Sequence, residues 1–557
     1  MYLGRRFSRR LLVLAAVSTA LITAAAAYAT VRITSSGPVT ANVTPASAKQ
    51  AVTGSGHMSA KVVTARTFTR APAPTPAQLQ AAKEGLKEQE NVPAPNRVTT
   101  NAQTNPGPAV QSPQSPSQVA DSTYRRYLVR YLPTGSFAGG SGYSSFTNEP
   151  SVAKAGKNIF LTGNWYAGYS GDNAATWTFL NPFTIFGSGF CCDQVALYDS
   201  SHDHVYWIAQ YNNHLVVANA SSSNLASWCY YNFSNTTIGQ ASTTSLDFND
   251  AMIGTKDLYL TTNIFPTSGY GSAIVRIPLE QMNSCSGINY NYYSQLDSFT
   301  WRLVQGSNDR AYWGSDWDPT GARPNGSSFR LFWWDESSNS ISWNNYNINA
   351  FAFYVRNSGQ NCGSADGVVK NWCQYADSRT LGAYRANGVI GFSMNAKQGG
   401  FAPFPYTVRE YFRESDLAYL GNTNLYATWA ALQFLSLAPN ARGHVGGTYY
   451  WGGGCSGCTD YYPGTAALVD DDITPSQPWT NDFWFPGQGN TCTYGGLYRW
   501  GDYSTTRTAD PANNLWIGAG YREAGGNCGT AGSFTSPAIL VFGRGRDGNQ
   551  YARWSNK

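Results

Sequence analysis

Acidic residues recur in this chain at the head of short apolar runs. Glu149, Asp193, Asp250, Asp316, Asp377 and Asp502 all stand in such positions, typically about 60 residues apart. Arg379, Arg442 and Arg499 occupy similar positions, and Tyr503 follows Asp502 directly. If folding gathers these heads, the chemistry is defined by crowding. Neighbouring carboxylates raise one another's pKa, and nearby guanidinium groups lower it. A protonated acid beside an ionised one is what glycoside hydrolysis requires. In that reading Glu149, Asp193, Asp250 and Asp502 supply the acids. Arg379, Arg442 and Arg499 can clamp an anionic substrate through paired N–H donors. Trp165 offers a face for a sugar ring. The same oxygens could hold Ca²⁺, which takes several oxygen ligands. The sequence demands no cofactor. The competing account is that each acid merely caps a turn, and for any one of them that account is the default.

The heads belong to a recurring unit: a polar or acidic residue, a short apolar strand, a turn, then an aromatic-rich strand. The openings are Asn148–Val152, Cys192–Ala196, Asn249–Ile253, Gly314–Asp318, Asp377–Leu381, Ala441–Val445 and Gly501–Thr505. Runs such as His204–Ile208, Asp257–Thr261 and Asn514–Gly518 mix β-branched and aromatic residues between turn formers. No stretch of the body carries helical periodicity, which argues against a doubly wound α/β sheet. Blades of four-stranded sheet repeat at about 40–50 residues, and longer with inserted loops. The expectation is an all-β propeller of seven blades, with six or eight as alternatives. In such a fold every inner strand starts near one mouth, so acids distant in sequence would meet there.

One motif carries a family resemblance. Ser170-Gly171-Asp172-Asn173-Ala174-Ala175-Thr176-Trp177 resembles the Asp box of sialidase-like (BNR-repeat) propellers, with Ala174 where that family usually has Gly. The resemblance implies a propeller, with Ser170, Asp172, Thr176 and Trp177 in structural roles away from any active site. Sialidases use an arginine cluster, a Tyr–Glu nucleophile pair and an Asp acid. Counterparts here match by residue type only: the resemblance implies Arg379, Arg442 and Arg499 as the cluster and Tyr503, beside Asp502, as a candidate nucleophile. Arg276-Ile277-Pro278 imitates the family's Arg-Ile-Pro element in the wrong repeat and reads as an edge strand ending at Pro278. A sialidase proper is therefore not expected.

Composition divides the chain. Residues 1–124 hold 12 basic and 4 acidic residues; the remainder holds 26 and 29. The body is thus slightly acidic, which excludes a nucleic-acid-binding footprint. All 18 Trp and all 10 Cys lie in the body, so only it can build a core. Arg5, Arg6, Arg9 and Arg10 precede the apolar run Leu11–Ala27, and Ala27-Tyr28-Ala29 supplies a cleavage pattern. Residues 1–29 read as a secretory signal or, alternatively, an uncleaved anchor. Residues 30–122 read as a disordered Pro/Ala/Thr/Ser-rich linker, and 123–557 as the propeller. Export favours disulfides. Cys229 with Cys285, Cys362 with Cys373, Cys455 with Cys458 and Cys492 with Cys528 are local candidates, and Cys191 and Cys192 then either form a vicinal pair or each pair elsewhere. Two GxGxxG matches, at Gly452 and Gly543, lack the strand-to-helix context of a nucleotide site. His202-Asp203-His204 reads as a hairpin turn rather than a metal site. Two functions fit: a secreted, monomeric hydrolase or lyase of polysaccharide or glycoconjugate, or a non-catalytic surface propeller binding glycan or protein. Membrane contact enters only through an uncleaved anchor.

Overall fold

The computed structural model describes residues 122–132, 147–211, 213–267, 269–316, 326–353, 360, 362–363, 371–453, 461–472, 479–487, 493–494, 497–523 and 535–554, with the short strands Ala41–Asn42, Lys61–Val63 and Arg66–Thr69. The body is a seven-bladed β-propeller, each blade an antiparallel meander. Inner strands are Ser151–Ala155 (blade 1), Phe190–Asp199 (blade 2), Ser245–Ile253 (blade 3), Arg302–Leu303 (blade 4), Thr380–Ala386 (blade 5), Ala431–Pro439 (blade 6) and Thr505–Thr508 (blade 7). Blade 7 takes its outermost strand from the front of the body. Tyr124–Tyr131 pairs antiparallel with Thr535–Arg544, the last strand of the chain. The ring is therefore closed by backbone hydrogen bonds between its two ends. The short strands Arg66–Thr69, Lys61–Val63 and Ala41–Asn42 run along the outer edges of blades 2, 3 and 4.

The aromatic and β-branched content follows from packing sheet against sheet. A blade strand is apolar on both faces because each face meets a different neighbour. In His204–Tyr211, Val205, Trp207 and Ala209 join the cluster between blades 1 and 2. Tyr206 and Ile208 join the cluster between blades 2 and 3. Equivalent clusters fill every remaining interface around the ring. An eighth cluster lies over the channel, joining Phe248, Trp372, Phe434, Tyr450, Trp500, Tyr503 and Tyr521 from several blades.

Two repeat openings fall elsewhere than the sequence pattern suggests. Blade 4 begins at the two-residue strand Arg302–Leu303, and Asp316 ends its second strand, Arg310–Asp316. Blade 6 begins at Ala431, and Arg442 lies in the turn before its second strand, Val445–Gly453. Arg276 lies in the third strand of blade 3, not an edge strand, because Ile288–Gln295 pairs outside it. Its guanidinium sits 4.3 Å over the Trp334 ring and donates to Ser338 O at 2.7 Å, tying blade 3 to blade 4.

The turn from Ser170 to Thr176 joins the outer two strands of blade 1. Asp172 Oδ1 accepts the Thr176 N–H at 2.8 Å, and Oδ2 accepts the Thr176 hydroxyl at 2.6 Å. Ser170 Oγ accepts the Ala174 N–H at 2.8 Å. Ala174 occupies the left-handed region at φ 61°, the conformation that makes glycine the usual choice there. Trp177 packs against the blade 7–blade 1 cluster. Cys191–Cys192, Cys229–Cys285 and Cys362–Cys373 are disulfides. The pairs expected at Cys455–Cys458 and Cys492–Cys528 lie outside the described residues, as does the signal segment. Among the described residues no helix is long and apolar enough to cross a membrane.

Candidate functional site

The mouth is built from inner-strand heads, and the backbone there is unusual. Non-glycine residues with positive φ stand at four of them: Glu149 (45°), Phe248 (50°), Thr300 (57°) and Phe434 (61°). Side chains rarely adopt this region, and such conformations gather where surrounding structure over-determines them. In blades 3 and 6 the pairing register shifts at the same place, between Asp247 and Asp250 and between Gln433 and Ser436. These bulges break the alternation and turn side chains toward the channel.

Glu149 of blade 1 is 1 % exposed. Its Oε1 accepts the Asp502 N–H at 2.7 Å and lies 3.7 Å from Arg499 Nη2. Asp502 Oδ2 lies 3.6 Å from Arg499 Nη2 and 3.5 Å from Arg379 Nη1. Arg379, from blade 5, also holds Asp377 through two parallel bonds of 2.7 and 2.8 Å, and its guanidinium lies 5.4 Å from the Phe248 ring centre. Arg499 lies over Tyr375 at 5.0 Å. Blades 1, 5 and 7 thus share one ionic network.

Asp193 of blade 2 hydrogen-bonds the Glu149 carboxyl. Two carboxyls can bond directly only if one keeps a proton, and burial favours that outcome. Burial pushes Glu149 up to about 8; the Asp502 charge adds to this, while bonds to Asn164, the Asp502 N–H and Asp193 act against it. Burial also pushes Asp193 well above the carboxylate range, reinforced by Glu149, Asp247 and Asp502. The Tyr503 phenol beside them is raised, first by burial and then by Asp193 and Glu149. The mouth therefore holds a protonated acid pair next to Asp502, whose carboxylate faces two guanidinium groups.

The expected ring is incomplete. Glu149, Asp193, Asp377, Arg379, Arg499, Asp502 and Tyr503 meet. Asp250 does not join them: its Oδ2 accepts the Leu303 N–H at 2.9 Å and lies 3.4 Å from Arg302, which fastens blade 3 to blade 4. Asp316 lies buried at the end of a second strand, raised well above its ordinary range by burial and then by Glu410 and Asp377. Arg442 sits in the hairpin turn at the far end of blade 6 and donates to Asp547 at 2.9 Å. Trp165 is 7 % exposed and packs between blades 1 and 2, so it presents no open face. His202 bonds Asp199 at 2.6 Å in a hairpin. Asp247, Phe248, Tyr375 and Asn164 escaped the sequence reading. Asp247 stands three positions before Asp250, and only the bulge reveals which of the two faces the mouth.

His444, Asp471 and Asp472 form the cluster of metal-ligating types among the described residues, with their ligand atoms within 4.8 Å. Asp471 already accepts two bonds from Arg544, at 2.7 and 2.8 Å, and Asp472 accepts two from Arg546, at 2.7 and 3.4 Å. Two guanidinium groups thus balance the charge a cation would meet.

No protein-family model and no curated protein sequence matches the chain. Several solved structures are similar to the chain at low identity. A protein of unknown function from Dyadobacter fermentans is 10% identical with TM-score 0.35, over 75% of this chain and 98% of its own. An ulvan lyase, described as a new polysaccharide lyase family, is 9% identical with TM-score 0.31, over 61% and 81%. An α-L-arabinofuranosidase from Podospora anserina, in complex with cellotriose, is 10% identical with TM-score 0.28, over 66% and 99%.

Proposed function

We propose that this chain is an exported propeller, related to the Asp-box group, that cleaves polysaccharide or glycoconjugate at the channel mouth by carboxylate acid–base chemistry. The observation that carries the reading is the buried Glu149–Asp193 pair beside the arginine-held Asp502. The pair acts as general acid, and Asp502 is the ionised partner that takes a proton or supports developing positive charge. Arg379 and Arg499 set the charge of Asp502, and Tyr503 closes the inner wall. The three disulfides and the basic–apolar N-terminal pattern support an oxidising destination.

Product analysis after incubating the purified protein with a broad glycan panel tests the reading. Turnover is expected on at least one polymer. Asp193→Asn and Asp502→Asn should each abolish it while leaving the melting temperature nearly unchanged. Full activity in both variants would show that the site is wrong. The deep burial of Glu149 favours a second reading, a non-catalytic propeller that binds glycan or protein. Under it the panel yields binding without products, and the two variants alter affinity only.

A further inference from the structure

We propose that the Cys191–Cys192 disulfide is a positioning device: it closes a bulge in the inner strand of blade 2 and so holds Asp193 against Glu149. In the ladder between Phe190–Asp199 and His204–Tyr211, Gln194 pairs with Ala209 and Phe190 pairs with Tyr211. Residues 191, 192 and 193 therefore stand opposite Gln210 alone. Two extra residues must be absorbed in a single ladder step, and the disulfide joins two of the three.

Both ends of the bulge are pinned. Phe190 meets Phe183 and Tyr211 edge-on, at 4.9 and 5.7 Å. Gln194 donates to Gly163 O and, at 3.0 Å, to Tyr166 O, and it accepts the Trp207 indole N–H at 2.8 Å. The residues between could fill the gap in several ways, and only some present Asp193 to the mouth. Electrostatics does not choose among them. The largest charges that bear on Asp193 are those of Glu149, Asp247 and Asp502, all acids, so the short-range bond to Glu149 is what draws it in, and that bond forms only where the backbone brings Asp193 within reach. The backbone must hold it there.

The disulfide has little value as a staple. Cross-linking restricts the unfolded chain in proportion to the logarithm of the loop closed. Cys229–Cys285 closes a separation of 56 residues; Cys191–Cys192 closes a separation of 1, with Cα atoms 3.7 Å apart. Its effect is local, on the backbone of two residues, and the residue it feeds is Asp193. Both cysteines are buried in the cluster between blades 1 and 2, so the joined pair also fixes the bulge against blade 1, which carries Glu149.

The inference rests on Glu149 and Asp193 being the working acids, but its test reads the pair directly and needs no substrate. The protonated-carboxyl infrared band is titrated in the full chain, with Glu149 and Glu410 assigned by difference against E149Q and E410Q. Both glutamates titrate far above the ordinary range, and Glu410 lies away in blade 5. In the C191A/C192A variant the Glu149 band is expected to titrate higher by about one unit, because the Asp193 bond that holds it down is lost as the second carboxyl withdraws, with Glu410 unmoved. The C229A/C285A variant, which loses the disulfide between blade 2 and blade 3, should move neither band. An unshifted Glu149 band in C191A/C192A overturns the proposal. So does a joint shift of both bands, which would mark general loosening. Should the double variant fail to fold, C192A, which opens the same ring, takes its place with the same criteria. Absence of glycan turnover would refute the proposed activity and leave this result standing.

Discussion

Glu149 and Glu410 are buried acids whose environments hold their protons. For Glu410 burial is the dominant cause, and bonds from Tyr419 and Asn422 oppose it, leaving the group at about 8. The unfolded chain loses such a proton near 4.5, the folded chain near 8. Between those values the folded state binds more protons, so stability falls as pH rises and levels off above about 8. Substituting Glu410→Gln, which keeps the shape and removes the titration, should flatten that decline by on the order of 2–4 kcal/mol across the window. Denaturant unfolding at the two ends of the range measures it; an unchanged slope would show that the carboxyl is solvated. Glu149→Gln should flatten the slope in the same direction but also abolish turnover, which separates an acid that works from one that is only buried.

Asp172 behaves in the opposite sense. Hydrogen bonds from the Thr176 hydroxyl and N–H pull it down to about 2. The support it gives the blade 1 turn is present above its ordinary value of 3.8 and is lost as pH falls toward 2. Asp172→Ala should cost about 1 kcal/mol at neutral pH and leave activity intact, as thermal melting and the glycan assay would show. Arg276→Ala removes both a hydrogen bond and a ring contact between blades 3 and 4. It should cost about 1–3 kcal/mol, with Arg276→Lys restoring little because an ammonium cannot lie flat on Trp334. These contacts also mark what was legible in the sequence. The Ser170–Trp177 turn and the aromatic strand runs are local patterns, and they gave the propeller. The mouth was half legible: Glu149, Asp193, Asp377 and Asp502 stand at the openings of the recurring unit. Blade 4 opens with only Arg302–Leu303, too short to show a pattern, so the eye moved on to Asp316. Blade 6 opens at Ala431 with no acid, so Arg442 drew attention from the wrong end of its hairpin. Asp247 depends on a bulge, which is a property of register between two strands rather than of either alone.

A closed ring differs from a stack in that no blade can be lost from the end. The seam here is the pairing of Tyr124–Tyr131 with Thr535–Arg544, reinforced where Arg126 bonds Asp482 at 2.8 Å and Tyr127 donates to Arg544 O at 2.6 Å. Leu128 and Leu132 also contribute to the cluster between blades 7 and 1. Without this strand blade 7 would present a bare edge, blade 1 would lose part of its apolar partner, and Glu149 and Asp502 would be free to separate across the gap. A chain starting at Ser122 should therefore melt cooperatively within a few degrees of the full chain, because it keeps the seam. A chain starting at Thr147 should lose that transition, bind a hydrophobic dye and associate through the bare edge, since a seam worth several buried side chains at about 1.5–3 kcal/mol each is comparable to the whole stability of a domain. Adding residues 122–132 back as a peptide should restore part of the transition, because the missing element is a strand with its own face and register. If the shorter chain melts like the longer one, closure rests on the inter-blade clusters alone and the acid pair at the mouth owes nothing to the seam.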